Sequence, residues 1–145
     1  MVQWSYPKGK DGCSVKKWII LMLALALLLT ACGGGDVSEA GRRISGSQRF
    51  DESEVADAMD VVEDYFRKNF DGCRLHTIIY DEEADARLTE LAAGQYGENT
   101  IILKTDFRVE DAGDGSWTPD MEYKNYTWTL TKTFWGWRIQ DHGYA

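Results

Sequence analysis

The sequence predicts an α+β domain in which two helices pack on one face of a curved antiparallel sheet of about four strands. Two segments carry apolar residues at helical spacing, a single strand separates them, and three further strands follow towards the C-terminal end. Antiparallel strands gathered at one end of a chain are typical of α+β domains, whereas strands and helices alternate throughout α/β domains.

The first helix is predicted to begin at Asp51, a good N-cap residue. Glu54 occupies the capping-box position, and Phe50 before the cap can pack on Val55. Asp71-Gly72 is a suitable stop. The apolar stripe of this helix is Val55, Ala58, Met59, Val62 and Phe66, with Tyr65 beside it.

The other elements follow from the same patterns. Strands are expected over residues 74–80, 101–109, 123–131 and 137–142, and a second helix over 82–93. Strict alternation places Leu75, Thr77 and Ile79 on one face of the first strand. The expected inward residues of the second helix are Ala84, Leu88, Leu91 and Ala92. Those of the later strands are Ile101, Leu103, Thr105, Phe107, Val109, Tyr126, Trp128, Leu130, Trp137 and Ile139.

The first 31 residues are predicted to be a signal peptide. Lys16-Lys17 precede an apolar run over 18–29, which is shorter than the roughly 20 residues of a membrane span. Leu29-Thr30-Ala31-Cys32 resembles a lipobox, the cleavage site of bacterial lipoproteins, and this resemblance implies a lipid on Cys32. The polar stretch before Lys16 suggests that translation starts at Val15.

The predicted mature chain begins at Cys32 and has 114 residues, enough for one small domain. A Gly/Ser-rich segment, 32–47, is expected to be a flexible lipidated tether, and 48–145 is the domain. The mature chain carries 12 Lys and Arg against 23 Asp and Glu, a net charge of −11. This charge argues against nucleic acid as a partner. The expected location is the extracytoplasmic face of the cell membrane, held by the lipid on Cys32.

The order of elements resembles the cystatin-like/NTF2-like superfamily. A finer resemblance is carried by the stretches Phe70-Asp71-Gly72-Cys73, Tyr80-Asp81-Glu82-Glu83, Asp114-Gly115-Ser116-Trp117-Thr118-Pro119-Asp120 and Trp137-Arg138-Ile139-Gln140-Asp141-His142-Gly143-Tyr144. Together they resemble an uncharacterised family of small lipoproteins from Gram-positive gut bacteria. This resemblance covers the chain from about Phe50 to its end and implies no activity.

The histidines are the residues that could support catalysis. His76 and His142 are both expected on the sheet face opposite the apolar one, together with Lys104, Asp106, Arg108, Thr127, Arg138 and Gln140. A His/Asp pair there could act as a general base. A solvated polar face is the favoured interpretation, and no catalytic residue is assigned.

Two further features have an ordinary structural interpretation. Cys73 is the one thiol left in the mature chain after lipidation of Cys32, and its position between a helix stop and an apolar strand predicts burial. The acidic loop could gather oxygen ligands for Ca²⁺, but the EF-hand spacing is absent, so no metal or cofactor is predicted. Its acids are Glu110, Asp111, Asp114, Asp120 and Glu122.

The last hairpin provides the candidate contact surface. Phe134 and Trp135 fall in the predicted turn 132–136, where soluble domains usually place Asn, Asp, Gly or Ser. They either project into solvent or fold back onto the sheet, and Trp117 from the preceding loop is expected to join them. The leading hypothesis is therefore a non-catalytic domain that binds a cell-envelope protein or a glycan. The alternatives are a small-ligand carrier with an apolar pocket between helices and sheet, and an NTF2-like enzyme.

Overall fold

The computed structural model describes residues 33–111 and 116–144, without the side chains of residues 92 and 93. The predicted signal peptide and Cys32 lie outside these residues. The elements run in the order β1 (Gly41–Ser45), α1 (Glu52–Asn69), β2 (Cys73–Asp81), α2 (Glu82–Tyr96), β3 (Thr100–Val109), β4 (Glu122–Thr133) and β5 (Gly136–Gly143). The predicted α+β class is therefore confirmed.

The sheet has five strands in the described part of the chain, in the spatial order β1-β2-β3-β4-β5. The expectation of about four antiparallel strands missed β1, which pairs with β2 in parallel. The other three pairs are antiparallel, so the sheet is mixed.

Helix α1 matches its sequence prediction closely. The Asp51 side chain accepts a hydrogen bond from the backbone N–H of Glu54, and the Glu54 side chain accepts one from the N–H of Asp51. These paired bonds form the predicted capping box and satisfy donors that the first turn leaves free. All five residues of the predicted apolar stripe, from Val55 to Phe66, are fully buried.

The prediction of a flexible tether over 32–47 is wrong for its described part. Gly35 donates a backbone hydrogen bond to the carbonyl of Arg67, and Asp36 exchanges two with β2. Residues 41–45 then form β1, an edge strand of sequence GRRIS. This sequence has no apolar alternation from which a strand could be predicted. The glycines here permit close packing on α1 because they lack a Cβ atom, which is a different use from flexibility.

A bulge in β2 changes which of its side chains face the core. In β2 the register shifts between Leu75 and Thr77, so that Leu75, Ile78 and Tyr80 are buried. The strict alternation that placed Thr77 and Ile79 beside Leu75 is therefore wrong beyond His76. An extra residue in one strand moves every later side chain to the other face, and a periodicity count does not detect it.

Helix α2 lies beside the first half of β3, where β2 has ended and no longer pairs with β3. The last β2–β3 pair joins Ile79 to Lys104, and beyond it the N–H of Ile102 donates to the Asp85 carboxylate at 2.7 Å. The predicted apolar face of α2 is wrong, since Asp85 and Thr89 are the buried residues and Leu91 is 84% exposed. Ala84 and Leu88 are half-buried, and the side chain of Ala92 lies outside the described set.

The core lies between α1 and the sheet and is filled largely by aromatic rings. Phe70 stacks on Phe66 at a centroid distance of 4.5 Å and meets Trp128 at 5.5 Å. The predicted inward residues of β3 and β4 are all buried, from Ile101 to Val109 and from Tyr126 to Leu130. Rings therefore occupy the volume in which a carrier would hold its ligand.

Candidate contact surface

Phe134 and Trp135 form the tip of the β4–β5 hairpin; these two residues are called the tip below. Each is 91% exposed, and their rings meet edge to face with centroids 5.0 Å apart. They stand between Thr133 and Gly136, the last paired residues of the two strands. Of the two outcomes left open by the sequence, the structure places the tip in solvent.

The base of the hairpin is held firmly against the start of α1. Trp137 packs edge to face on Phe50 at 5.3 Å, and its Nε1 donates to the carbonyl oxygen of Glu54 at 2.9 Å. Lys132 forms an ion pair with the Glu54 side chain. Thr133 Oγ1 donates to the carbonyl of Gly136 and closes the turn. The tip is thus presented on a fixed base rather than on a mobile loop.

The prediction that Trp117 joins the tip is wrong. Its ring stacks on Phe70 at 5.3 Å and packs against Tyr123 at 5.1 Å, both at the opposite end of the sheet. Strand β4 separates Tyr123 from the tip, a span of more than about 30 Å at the usual rise per residue. Trp117 is half-buried here and supports the core.

His142 lies on the helix side of the sheet, contrary to the prediction. A register shift in the β4–β5 pair skips Gln140 and brings His142 opposite Trp128, at 4.9 Å between ring centroids. Its two ring nitrogens lie within hydrogen-bond distance of the hydroxyls of Tyr126 and Tyr65. Burial lowers the pKa of His142, although nearby Asp141 acts in the opposite direction.

His76 stays on the opposite face, exposed, where it lines a shallow groove with Asp106. The Asp106 carboxylate accepts a hydrogen bond from the backbone N–H of Asn125 at 2.8 Å. Asn125 has a positive φ of 55° and lies at a register shift in β4. Asp106 therefore stabilises the backbone at this bulge. It is not hydrogen-bonded to His76, as a general-base pair would require.

The acidic loop is described only in part, because Asp114 lies outside the described residues. Asp120 pairs with Arg108, and Glu110 with Arg74. Over 33–111 and 116–144, no three His, Cys, Asp or Glu side chains converge as a metal site would require. Each of these ion pairs is exposed and contributes at most about 1 kcal/mol to stability.

Asp85 is a buried carboxylate that the sequence patterns did not single out. Arg49 donates to it at 2.6 Å, and Thr89 at 3.3 Å. Burial raises the pKa of Asp85, while its bonds from the N–H of Ile102 and from Arg49 act in the opposite direction. Arg49 also donates to the carbonyl of Thr100, so the pair joins the entry of α1, α2 and β3. The partners are 36 residues apart, which is why no local pattern predicts the pair.

Cys73 is buried, as predicted, and its thiol lies 3.7 Å from the carbonyl oxygen of Asp71. Burial, with a smaller effect of Asp71, raises the pKa of the thiol to about 11. A nucleophilic cysteine needs the reverse shift, towards the thiolate.

An open groove lies between α1 and β5. It has a volume of about 390 Å³. Charged groups of Asp64, Lys68 and Arg138 share its lining with Tyr65 and Trp137. No helix in the described part of the chain has the length and apolarity needed to cross a membrane.

Comparisons with protein-family models, with curated proteins and with solved structures find no match to this chain.

Proposed function

We propose that this chain is a lipid-anchored protein of the extracytoplasmic membrane face whose domain binds a partner through the tip. The observation that carries the proposal is the exposure of Phe134 and Trp135, 91% each, on a base fixed to α1. Adjacent large apolar side chains in solvent cost solubility unless a partner covers them, and aromatic anchors of this kind dominate the energetics of protein interfaces.

The proposed lipid anchor rests on the lipobox-like stretch that ends at Cys32. The membrane is therefore a proposed partner, bound through that lipid. Two or more acyl chains would hold the protein firmly, whereas a single chain binds only marginally. Membership of the Gram-positive lipoprotein family and of the cystatin-like/NTF2-like superfamily is part of this proposal. An α-helix packed across an antiparallel meander of β2 to β5 supports the superfamily assignment.

The tip favours a protein over a glycan as the partner. Its two ring planes stand at 90°, so they do not form the flat double platform on which a sugar would stack. The neighbouring Thr133 hydroxyl is already engaged with the turn, donating to Gly136 and accepting from the N–H of Trp135. A partner protein with an apolar pocket suits such a projecting pair.

The other two functions have less support. A ligand carrier needs an apolar pocket between helices and sheet, and there the described rings of Phe66, Phe70 and Trp128 are packed together. An enzyme of the general-base kind needs a His/Asp pair in a pocket, and the imidazole of His142 contacts two tyrosine hydroxyls instead.

Site-specific photo-cross-linking on intact cells tests the proposal. A benzophenone amino acid replaces Trp135 in one variant and Glu83 in a matched control, since Glu83 is exposed and lies on α2 rather than on the hairpin. We expect one discrete protein adduct from position 135 that is absent from position 83. Identical adducts from both positions would contradict a tip-specific partner. An adduct whose added mass is removed by glycosidases and that yields no partner peptides would identify a glycan instead.

A further inference from the structure

Gly33, Gly34 and Gly35 pack directly on the C-terminal end of α1; they are called the glycine seat below. A Cβ atom at Gly34 would overlap the carbonyl oxygen of Arg67, and one at Gly35 would lie 2.5 Å from the Phe66 ring. The N–H of Gly35 donates to that same Arg67 carbonyl at 3.1 Å. This bond satisfies one of the carbonyls that a helix leaves free at its C-terminal end.

The chain stays attached to the domain immediately after the seat. The N–H of Asp36 donates to the carbonyl of Cys73, and the carbonyl of Asp36 accepts from Leu75, each at 2.8 Å. Val37 and Ala40 pack against the core, and β1 follows. No slack segment therefore separates the seat from the rest of the domain.

The glycine seat and the tip lie at opposite ends of α1. The seat contacts Arg67 in the last turn, whereas the base of the tip contacts Glu54 in the first turn. The two contacted residues, Glu54 and Arg67, are 13 positions apart in the helix, a span of about 20 Å.

We propose that the glycine seat orients the domain on the bilayer, with the C-terminal end of α1 held next to the membrane and the tip at the farther end of the domain. The inference rests on the proposed lipidation of Cys32, which is bonded directly to Gly33. One residue of chain reaches only about 3.6 Å, so the backbone of the lipid-carrying residue would be separated from the seat by no flexible segment. In this orientation the tip contacts a protein that extends beyond the membrane surface, and it does not contact the lipid of the anchoring bilayer.

Charge at the seat end does not reverse this orientation. Asp71 lies beside Gly33, and Glu110 and Asp36 flank Arg74 nearby. Carboxylates are repelled by anionic lipid, but a tether of one residue does not let the domain withdraw far. Screening at physiological ionic strength further weakens the repulsion beyond about 8 Å.

Energy transfer to the lipid surface tests the proposal with the full lipidated chain in nanodiscs of zwitterionic lipid that carry an acceptor dye. A donor dye is attached at Lys68→Cys, near the seat, or at Glu98→Cys, near the base of the hairpin. Residue 98 precedes Asn99, whose carbonyl accepts a hydrogen bond from the N–H of Lys132. Both positions are exposed. The chain without an added cysteine gives the background from buried Cys73.

We expect transfer from position 68 to be several-fold more efficient than from position 98. Equal efficiencies would overturn this orientation, because a domain attached at the seat keeps position 68 nearer to the lipid than position 98 even when it pivots. The double variant Gly34→Ala with Gly35→Ala should displace the seat and bring the two efficiencies together while circular dichroism stays native. If that folded variant keeps the difference, the seat is not its cause.

Labelling with radioactive palmitate on the same preparations separates this inference from the proposed function. A chain that carries palmitate but shows equal transfer would overturn the orientation alone. A chain without palmitate would overturn the anchor, and the orientation with it.

Discussion

The Nδ1 atom of His142 lies 2.8 Å from the phenolic oxygen of Tyr126, and its Nε2 atom lies 3.2 Å from that of Tyr65. A neutral imidazole donates at one nitrogen and accepts at the other, so each tyrosine hydroxyl can complement it. The imidazolium donates at both nitrogens and is disfavoured by burial, which lowers the pKa of His142. The hydrogen bonds of His142 therefore hold the end of β5 to α1 best when the imidazole is neutral.

Acid should weaken the domain through His142. Because its folded pKa lies below the unfolded value of 6.5, the unfolded chain takes up a proton that the folded chain excludes. The stabilisation is fully present above pH 6.5 and is lost as the pH falls through the folded pKa. We expect the melting temperature to fall between pH 7 and pH 5, and to fall less in His142→Gln. His76→Gln, at an exposed position, is the control; slopes that are equal in all three proteins would contradict this role for His142.

Removing the buried carboxylate should be costly. Asp85→Ala leaves Arg49 and the N–H of Ile102 without their acceptor, and we expect a loss of about 3 kcal/mol in the free energy of unfolding. Glu83→Ala in the same helix is the matched control, since an exposed site should change stability by less than about 0.5 kcal/mol. Chemical denaturation measures both. Similar losses in the two variants would show that the buried network is not a special stabiliser.

Cys73 should resist thiol reagents while the domain is folded. A pKa of about 11 leaves roughly one thiol in ten thousand ionised at pH 7, and burial blocks access as well. We expect slow labelling by maleimide in buffer and rapid, stoichiometric labelling in guanidinium chloride. The added thiol of Lys68→Cys provides the exposed reference; native Cys73 labelling at the same rate would refute its burial.

The anchor should depend on Cys32 alone. We expect Cys32→Ser to abolish incorporation of radioactive palmitate and leave the protein unanchored or unprocessed, because no other thiol is placed after a lipobox-like stretch. Cys73→Ser should retain full incorporation. Undiminished labelling of Cys32→Ser would remove the basis for a lipoprotein.

The parts of the fold that sequence patterns predicted are those decided by local physics. The capping box of Asp51 and Glu54 and the apolar stripe of α1 depend on residues within a few turns of each other. The alternation of β3 from Leu103 to Val109 likewise reports directly which side is buried, whereas Ile102, expected to face outward, is buried. In each case one periodicity holds from end to end.

The parts that failed depend on partners distant in the chain. The bulges after Leu75 and at Gln140 change the facing of every later residue in β2 and β5, and this is how His142 moved to the helix side. Helix α2 buries Asp85 because Arg49 meets it from 36 residues away. The glycines from Gly33 to Gly35 were interpreted as flexible because composition does not distinguish freedom from close packing.

The candidate site was predicted in part. The place of Phe134 and Trp135 at the turn follows from the two alternating strands that flank it. The sequence left open whether their rings project into solvent, which the structure shows. The inclusion of Trp117 failed because the order of residues along a loop does not tell which end of the sheet the loop packs on.

The tip variant tests whether Phe134 and Trp135 form a contact surface. In Phe134→Ser with Trp135→Ser, we expect the free energy of unfolding to stay within about 0.5 kcal/mol of the wild type, because both rings are in solvent. Leu91→Ser, which changes an exposed apolar residue on α2, is the matched control. A loss of several kcal/mol in the tip variant would instead assign the rings to the core.

The most direct measurement is the affinity of the folded tip variant for the protein captured by cross-linking at position 135. Removing two aromatic anchors of about 2 kcal/mol each would weaken binding on the order of several hundredfold, while Leu91→Ser should bind as the wild type does. A tip variant that binds its partner with wild-type affinity would contradict the proposal that this protein acts through its exposed hairpin tip.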